Sequence, residues 1–203
     1  MSAQQAATHA PPEHHTSTGL DNVKLAMWAF LGSECLFFGS LISTYLLYRN
    51  RVLDGPRPHE IYDIPYTSVS SFVLLMSSVT MVLALAAIQR GDHRGLRIWL
   101  LATAMLGSVF IGGQIYEFTT FVDEGLKLST STFGSAFFVM TGFHGAHVTV
   151  GIFMLLSLVG MSSFGRLSDA DGPRKVELIG LYWHFVDIVW IVIFTVVYLI
   201  PTN

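Results

Sequence analysis

Five apolar runs, each long enough for a helix to cross a lipid bilayer, constrain this chain more than any other feature. The hydrocarbon core of a bilayer is about 30 Å thick and offers no water to backbone groups, so a chain crosses it as a helix of roughly 20 apolar residues. The runs are Val23–Tyr48, Thr67–Gln89, Leu96–Phe118, Thr132–Phe164 and Leu178–Ile200. They predict an all-α, multi-pass membrane protein built as a bundle of five transmembrane helices. The connectors carry turn chemistry, as in Asp54-Gly55-Pro56, Gly91-Asp92, Asp123-Glu124-Gly125 and Asp171-Gly172-Pro173. Residues 1–22, rich in Ala, Gln, His, Pro and Thr, are expected to be a disordered tail, and 23–203 to form a single five-helix domain. That tail lacks the basic-then-apolar layout of a cleaved signal peptide.

Composition agrees with a membrane class. The 203 residues are 52% hydrophobic and 12% charged, far more apolar than an average soluble domain. Net charge is −3 and the eleven Lys and Arg residues are scattered, so no nucleic-acid surface is expected. One cysteine, Cys35, leaves no basis for an internal disulfide or for a thiolate metal cluster built by this chain alone.

The basic residues set the expected orientation. Lys24, Arg90, Arg94, Arg97, Arg166, Arg174 and Lys175 fall on the side of the N-terminal edge, whereas Arg49, Arg51, Arg57 and Lys127 fall on the other. Positive charge accumulates on the cytoplasmic side, so the N-terminus is predicted cytoplasmic and Asn203 external.

Polar residues inside the apolar runs face a bundle interior, a partner or a water-filled cavity, because hydrocarbon penalises them. Glu34 lies in the first run, His144 and His147 in the fourth, and His184 with Asp187 in the fifth; Glu117 lies near the end of the third. At 100° per residue, Thr103, Gly107, Gln114 and Glu117 share one face of the third helix. Glu177, Gly180, His184, Asp187, Thr195 and Tyr198 share one face of the fifth, and His144, His147 and Gly151 one face of the fourth. Three polar seams predict a common polar interior held by interhelical hydrogen bonds of roughly 1 kcal/mol each. Glu34 breaks the pattern. On its helix Gly32, Cys35, Gly39 and Ser43 form a small-residue stripe suited to close helix approach, while Glu34 points the other way, among Phe30, Phe37, Phe38 and Tyr45. It is expected to keep its proton or to meet a partner from another subunit or a lipid headgroup.

The residues themselves leave little room for chemistry within this chain. A b-type haem needs histidines on facing helices, and His144 or His147 opposite His184 offers one pair; the simpler reading has Asp187 accepting the ring proton of His184 at i+3. No Glu-x-x-His pair, nucleophile elbow or phosphate-cradling glycine loop occurs. A membrane cytochrome or a proton-coupled carrier remains the distant alternative. Against a carrier, five segments do not divide into equal inverted halves.

Four motifs carry a resemblance. Tyr182-Trp183-His184-Phe185-Val186-Asp187-Ile188-Val189-Trp190 closely resembles the last helix of subunit III of cytochrome c oxidase. Thr141-Gly142-Phe143-His144-Gly145-Ala146-His147-Val148 is similar to the helix before it in that family. Leu31-Gly32-Ser33-Glu34-Cys35-Leu36-Phe37-Phe38 resembles the family's serine–glutamate segment, and Gln114-Ile115-Tyr116-Glu117-Phe118 the end of a middle helix. The resemblance implies a noncatalytic, cofactor-free subunit of a haem-copper terminal oxidase in a bacterial plasma membrane, where oxygen is reduced to water and protons are pumped. It implies direct packing on subunit I, with subunit II, further respiratory subunits and membrane lipids as neighbours. Haems and copper would reside in the partners, with phospholipid a candidate ligand here. Glu34 would be the family's intramembrane carboxylate, tied to proton uptake or lipid contact. Gln114, Glu117, His144, His147, Glu177, His184 and Asp187 would be structural polar residues of the bundle. The motifs lean towards cytochrome c as electron donor, and a quinol oxidase is the alternative.

Overall fold

The computed structural model describes residues 21–49, 64–123, 125, 132–169 and 171–200. Most of the expected tail and the Asp54-Gly55-Pro56 connector therefore lie outside the described residues. Within them the chain is helical: α1 spans Asn22–Tyr48, α2 Ile64–Gln89, α3 His93–Asp123, α4 Thr132–Ser163 and α5 Gly172–Phe194. A π-helical turn, Thr195–Leu199, continues α5. All five helices are long and apolar enough to cross a membrane.

Local chemistry explains several ends. Asp21 caps α1, its carboxylate accepting from the Val23 backbone N–H at 2.9 Å. Gly91, at φ 75°, turns the chain between α2 and α3, and Asp92 accepts from the Gly95 N–H at 2.8 Å. Pro173 sits in the first turn of α5, where its missing N–H costs nothing. Helices α3 and α5 start earlier than their apolar runs because their first turns, His93–Gly95 and Gly172–Glu177, are polar yet helical. Hydropathy marks hydrocarbon, and these turns are placed to stand at its edge.

Helices α2, α3, α4 and α5 form a closed ring in which each packs on the next and α5 returns to α2. Their centre is built around indoles. Trp183 fills a slot between α3 and α4, where a Cβ added at Gly107 would lie 2.6 Å from its ring and one at Gly151 2.8 Å. Hydrocarbon gives apolar side chains no reason to leave lipid, so close contact of this kind, together with hydrogen bonds, holds the ring. Trp183 Nε1 donates to Ser77 Oγ at 2.9 Å and Trp190 Nε1 to Ser71 Oγ at 2.8 Å, joining α5 to α2 at two levels.

Helix α1 lies outside the ring, against α4 and α5. Its buried residues are Leu31, Phe38 and Tyr45, seven apart on one line. Gly32, Cys35, Gly39 and Ser43, the stripe suited to close helix approach, are exposed, and no described helix of this chain lies on them. The aromatic side packs instead, because large rings supply more contact area than glycine and serine. The outward hydroxyls of Ser33, Ser40, Ser43 and Thr44 donate to carbonyls of their own helix, so that face needs no outside hydrogen bond.

Candidate functional site

The aromatic side of α1 carries Glu34 onto α4. Its Oε2 lies 3.3 Å from Nε2 of His147, with both side chains about four-fifths buried (17% and 20% exposed). The expectation is that Glu34 keeps its proton or meets another subunit or a lipid headgroup; the structure adds a neighbour inside the chain. The other ring nitrogen, Nδ1 of His147, lies 2.7 Å from the Phe143 carbonyl oxygen. A carbonyl only accepts, so Nδ1 carries a hydrogen and the tautomer is fixed. The 3.3 Å separation suits either an acid facing a bare nitrogen or a carboxylate facing an imidazolium. Both arrangements are neutral as a pair, which is the form hydrocarbon tolerates.

The surroundings hold the pair in place. The ring of Phe38 lies edge-on to His147 at 5.0 Å, and Phe37 lies 6.3 Å away. Tyr182 donates its hydroxyl to the His147 carbonyl oxygen at 3.0 Å and stacks on Phe30 at 6.4 Å. Three helices, α1, α4 and α5, therefore meet at one carboxyl group.

The other expected polar residues occupy separate places. Glu117 accepts at Oε1 from Thr67 Oγ1 (2.6 Å) and from Tyr198 OH (2.9 Å), linking α3 to α2 and to the π-turn. Gln114 Nε2 donates to the Thr141 carbonyl oxygen at 2.8 Å, while its Oε1 has no partner among the described residues. His144 is wholly buried, stacked on Trp190 at 4.9 Å and edge-on to Phe110 at 5.9 Å, and neither ring nitrogen hydrogen-bonds to a described residue. Glu177 accepts from Lys24 Nζ at 2.8 Å, tying the starts of α1 and α5, and Arg174 adds a 3.2 Å pair to Asp21. His184 and Asp187 do not bond to each other. Both meet Ser78 of α2, the ring through Nδ1 at 2.9 Å and the carboxyl group through Oδ2. Within one helix the i+3 geometry leaves them side by side, and the facing serine bridges them.

The seams thus do not converge on a single interior. His144 and His147 stand on neighbouring lines of α4 but face different helices, and the α5 stripe splits among α1, α2 and α3. Among the described residues no three His, Cys, Asp or Glu side chains come together as a metal site. Two shallow grooves, of about 430 Å³ and 290 Å³, open on the outer face of α3 and α4 and share Phe138. Their walls are almost wholly apolar. Sequence reasoning missed Ser71, Ser77, Ser78 and Lys24. The seven-residue spacing of Trp183 and Trp190 was the available signal, since buried indole N–H groups need acceptors on a facing helix.

Fold and site now stand beside known proteins. The profile of the family described as cytochrome c oxidase subunit III matches residues 5–201. The chain belongs to that family. It is 40% identical over 198 residues to the quinol oxidase subunit 3 of Bacillus subtilis (strain 168), covering 97% of this chain and 96% of that one. It is 39% identical over 190 residues to the cytochrome c oxidase subunit 3 of Bacillus sp. (strain PS3), covering 94% and 91%. The cytochrome c oxidase subunit 3 of B. subtilis is 38% identical over 191 residues, covering 94% and 91%. As a subunit III of the haem-copper oxidase type, the chain is thus similar to within about two percentage points to relatives named for either electron donor.

Proposed function

We propose that this subunit III holds no redox centre itself, packs on the catalytic subunit I of a terminal oxidase in a bacterial plasma membrane, and supports proton uptake through the Glu34–His147 pair. The carrying observation is that this carboxyl group lies 3.3 Å from the imidazole Nε2 between membrane-spanning helices, with the imidazole oriented by the Phe143 carbonyl. Such a pair exchanges a proton without moving net charge into hydrocarbon. The remaining polar residues, Gln114, Glu117, His144, Glu177, His184 and Asp187, bond helices to one another or fill the core, and none is given a step. The excess of Lys and Arg on the N-terminal side supports a cytoplasmic N-terminus. Cysteine labelling from either side of the membrane at residues 2 and 202 tests it.

Glu34→Gln is the direct test of the pair. It keeps size and hydrogen bonding while removing the exchangeable proton. The assembled oxidase is expected to start at near-normal rate and then to inactivate several-fold sooner during turnover, or to take up protons more slowly. Failure of the complex to assemble would recast Glu34 as an assembly contact. A Soret band in the isolated chain would overturn the cofactor-free reading. Cytochrome c is the donor favoured by Phe143, Tyr182 and Val186 in the motifs. The quinol reading rests on the 40% identity to a quinol oxidase subunit, and a dinuclear copper signal in the purified complex separates the two.

A further inference from the structure

We infer that the outer face shared by α2 and α5, centred on His184, is where a transmembrane helix of another oxidase subunit docks, presenting a hydroxyl or carboxamide side chain to the His184 ring. The inference rests on the assembly reading above and assigns it a face. Its basis is an unfinished hydrogen bond. Ser78 donates its hydroxyl to Asp187, so at 2.9 Å it accepts from Nδ1–H of His184. In a neutral ring the other nitrogen, Nε2, then bears a lone pair. No described residue bonds to Nε2, and unlike both nitrogens of His144 it is not enclosed: His184 is partly exposed at the bundle surface.

Depth decides what covers it. His184 lies seven residues beyond Glu177, the last charged residue before the apolar stretch, which is roughly 10 Å deeper at 1.5 Å per residue. Phospholipid headgroups stay outside the hydrocarbon, and acyl chains offer no hydrogen bond. A polar side chain on a neighbouring helix does. The flanking residues suit such a neighbour. Val82, one turn from Ser78, and Ile188, one turn from His184, are 54% and 58% exposed and continue the surface above and below the ring. By contrast the polar groups on the outward face of α1 are already bonded to their own helix. Uncovered hydrogen-bonding capacity thus distinguishes the α2–α5 face from the α1 face.

The test is photo-crosslinking in intact membranes from benzoylphenylalanine placed at Val82 and, separately, at Ile188. Both positions are outward, so folding is undisturbed. Expected are adducts with another subunit of the oxidase that co-purifies with this chain; adducts only with polypeptides outside that complex overturn the docking face. Lipid adducts alone, or adducts joining two copies of this chain, overturn the docking face. If the chain nevertheless co-purifies with haem-bearing subunits, the assembly reading survives that failure; if it does not, both fall. As a second measurement, His184→Phe keeps the ring and removes its nitrogens. Retention of the chain in the detergent-purified complex is expected to fall roughly five-fold, the worth of one interhelical hydrogen bond. His184→Gln should restore part of it. Unchanged retention of the Phe variant would also overturn the proposal.

Discussion

The fully buried side chains of helix α1 fall on one line, Leu31, Phe38 and Tyr45, and only 11% of its most apolar stretch is buried, whereas the corresponding share for the last helix is 44%. The two are similarly apolar, so apolar content does not separate them. Shape and hydrogen bonding do. Helix α5 places Trp183 in a slot whose walls are glycines, and ties both indoles to serines of α2. Helix α1 relies on a carboxyl–imidazole pair at mid-span and on ion pairs at its first turn. In lipid, where burial itself earns little, a helix becomes central by interlocking and stays peripheral when it merely lies alongside.

Three substitutions break or sharpen that contrast. The largest effect is expected from Trp183→Ala, which empties the slot between Gly107 and Gly151 and leaves Ser77 without its donor. A loss of about 3 kcal/mol or more is expected, read as absence of monodisperse protein on size-exclusion chromatography after mild heating. Phe38→Ala should cost less, about 1–2 kcal/mol, since lipid chains partly replace the lost contacts. Its signature is local: hydrogen exchange should rise in α1 while α2 to α5 stay protected. Exchange rising equally in all helices would remove the distinction between ring and outlying helix. The smallest effect belongs to Lys24 and Glu177, both roughly 40% exposed. A double-mutant cycle should give a coupling of about 0.5 kcal/mol after solvent screening, shrinking as salt is added.

Much of this was legible in the sequence, and the gaps have physical causes. Apolar length located every helix, because the bilayer imposes it. Helical periodicity placed Thr103, Gly107, Gln114 and Glu117 together, and all four are buried. What periodicity left out was direction: it separated the two sides of α1 without revealing which one packs, so Glu34 was left without its partner. His147 is 113 residues away in the chain, and no local pattern on α1 or α4 names the other. Ser78 illustrates the same limit, since a single hydroxyl in an apolar helix acquires meaning only when His184 and Asp187 are set opposite it.

The π-turn at Thr195–Leu199 has a consequence for how the last helix tolerates change. It accommodates one additional residue within a turn, and one residue of α-helix corresponds to about 100° of rotation. That offset aims the Tyr198 hydroxyl at Glu117 while Thr195 is left pointing outwards. The stretch works as a shim in the register of the chain: shortening it by a single position swings the phenol off its acceptor, although every residue that touches Glu117 from α2 remains where it was.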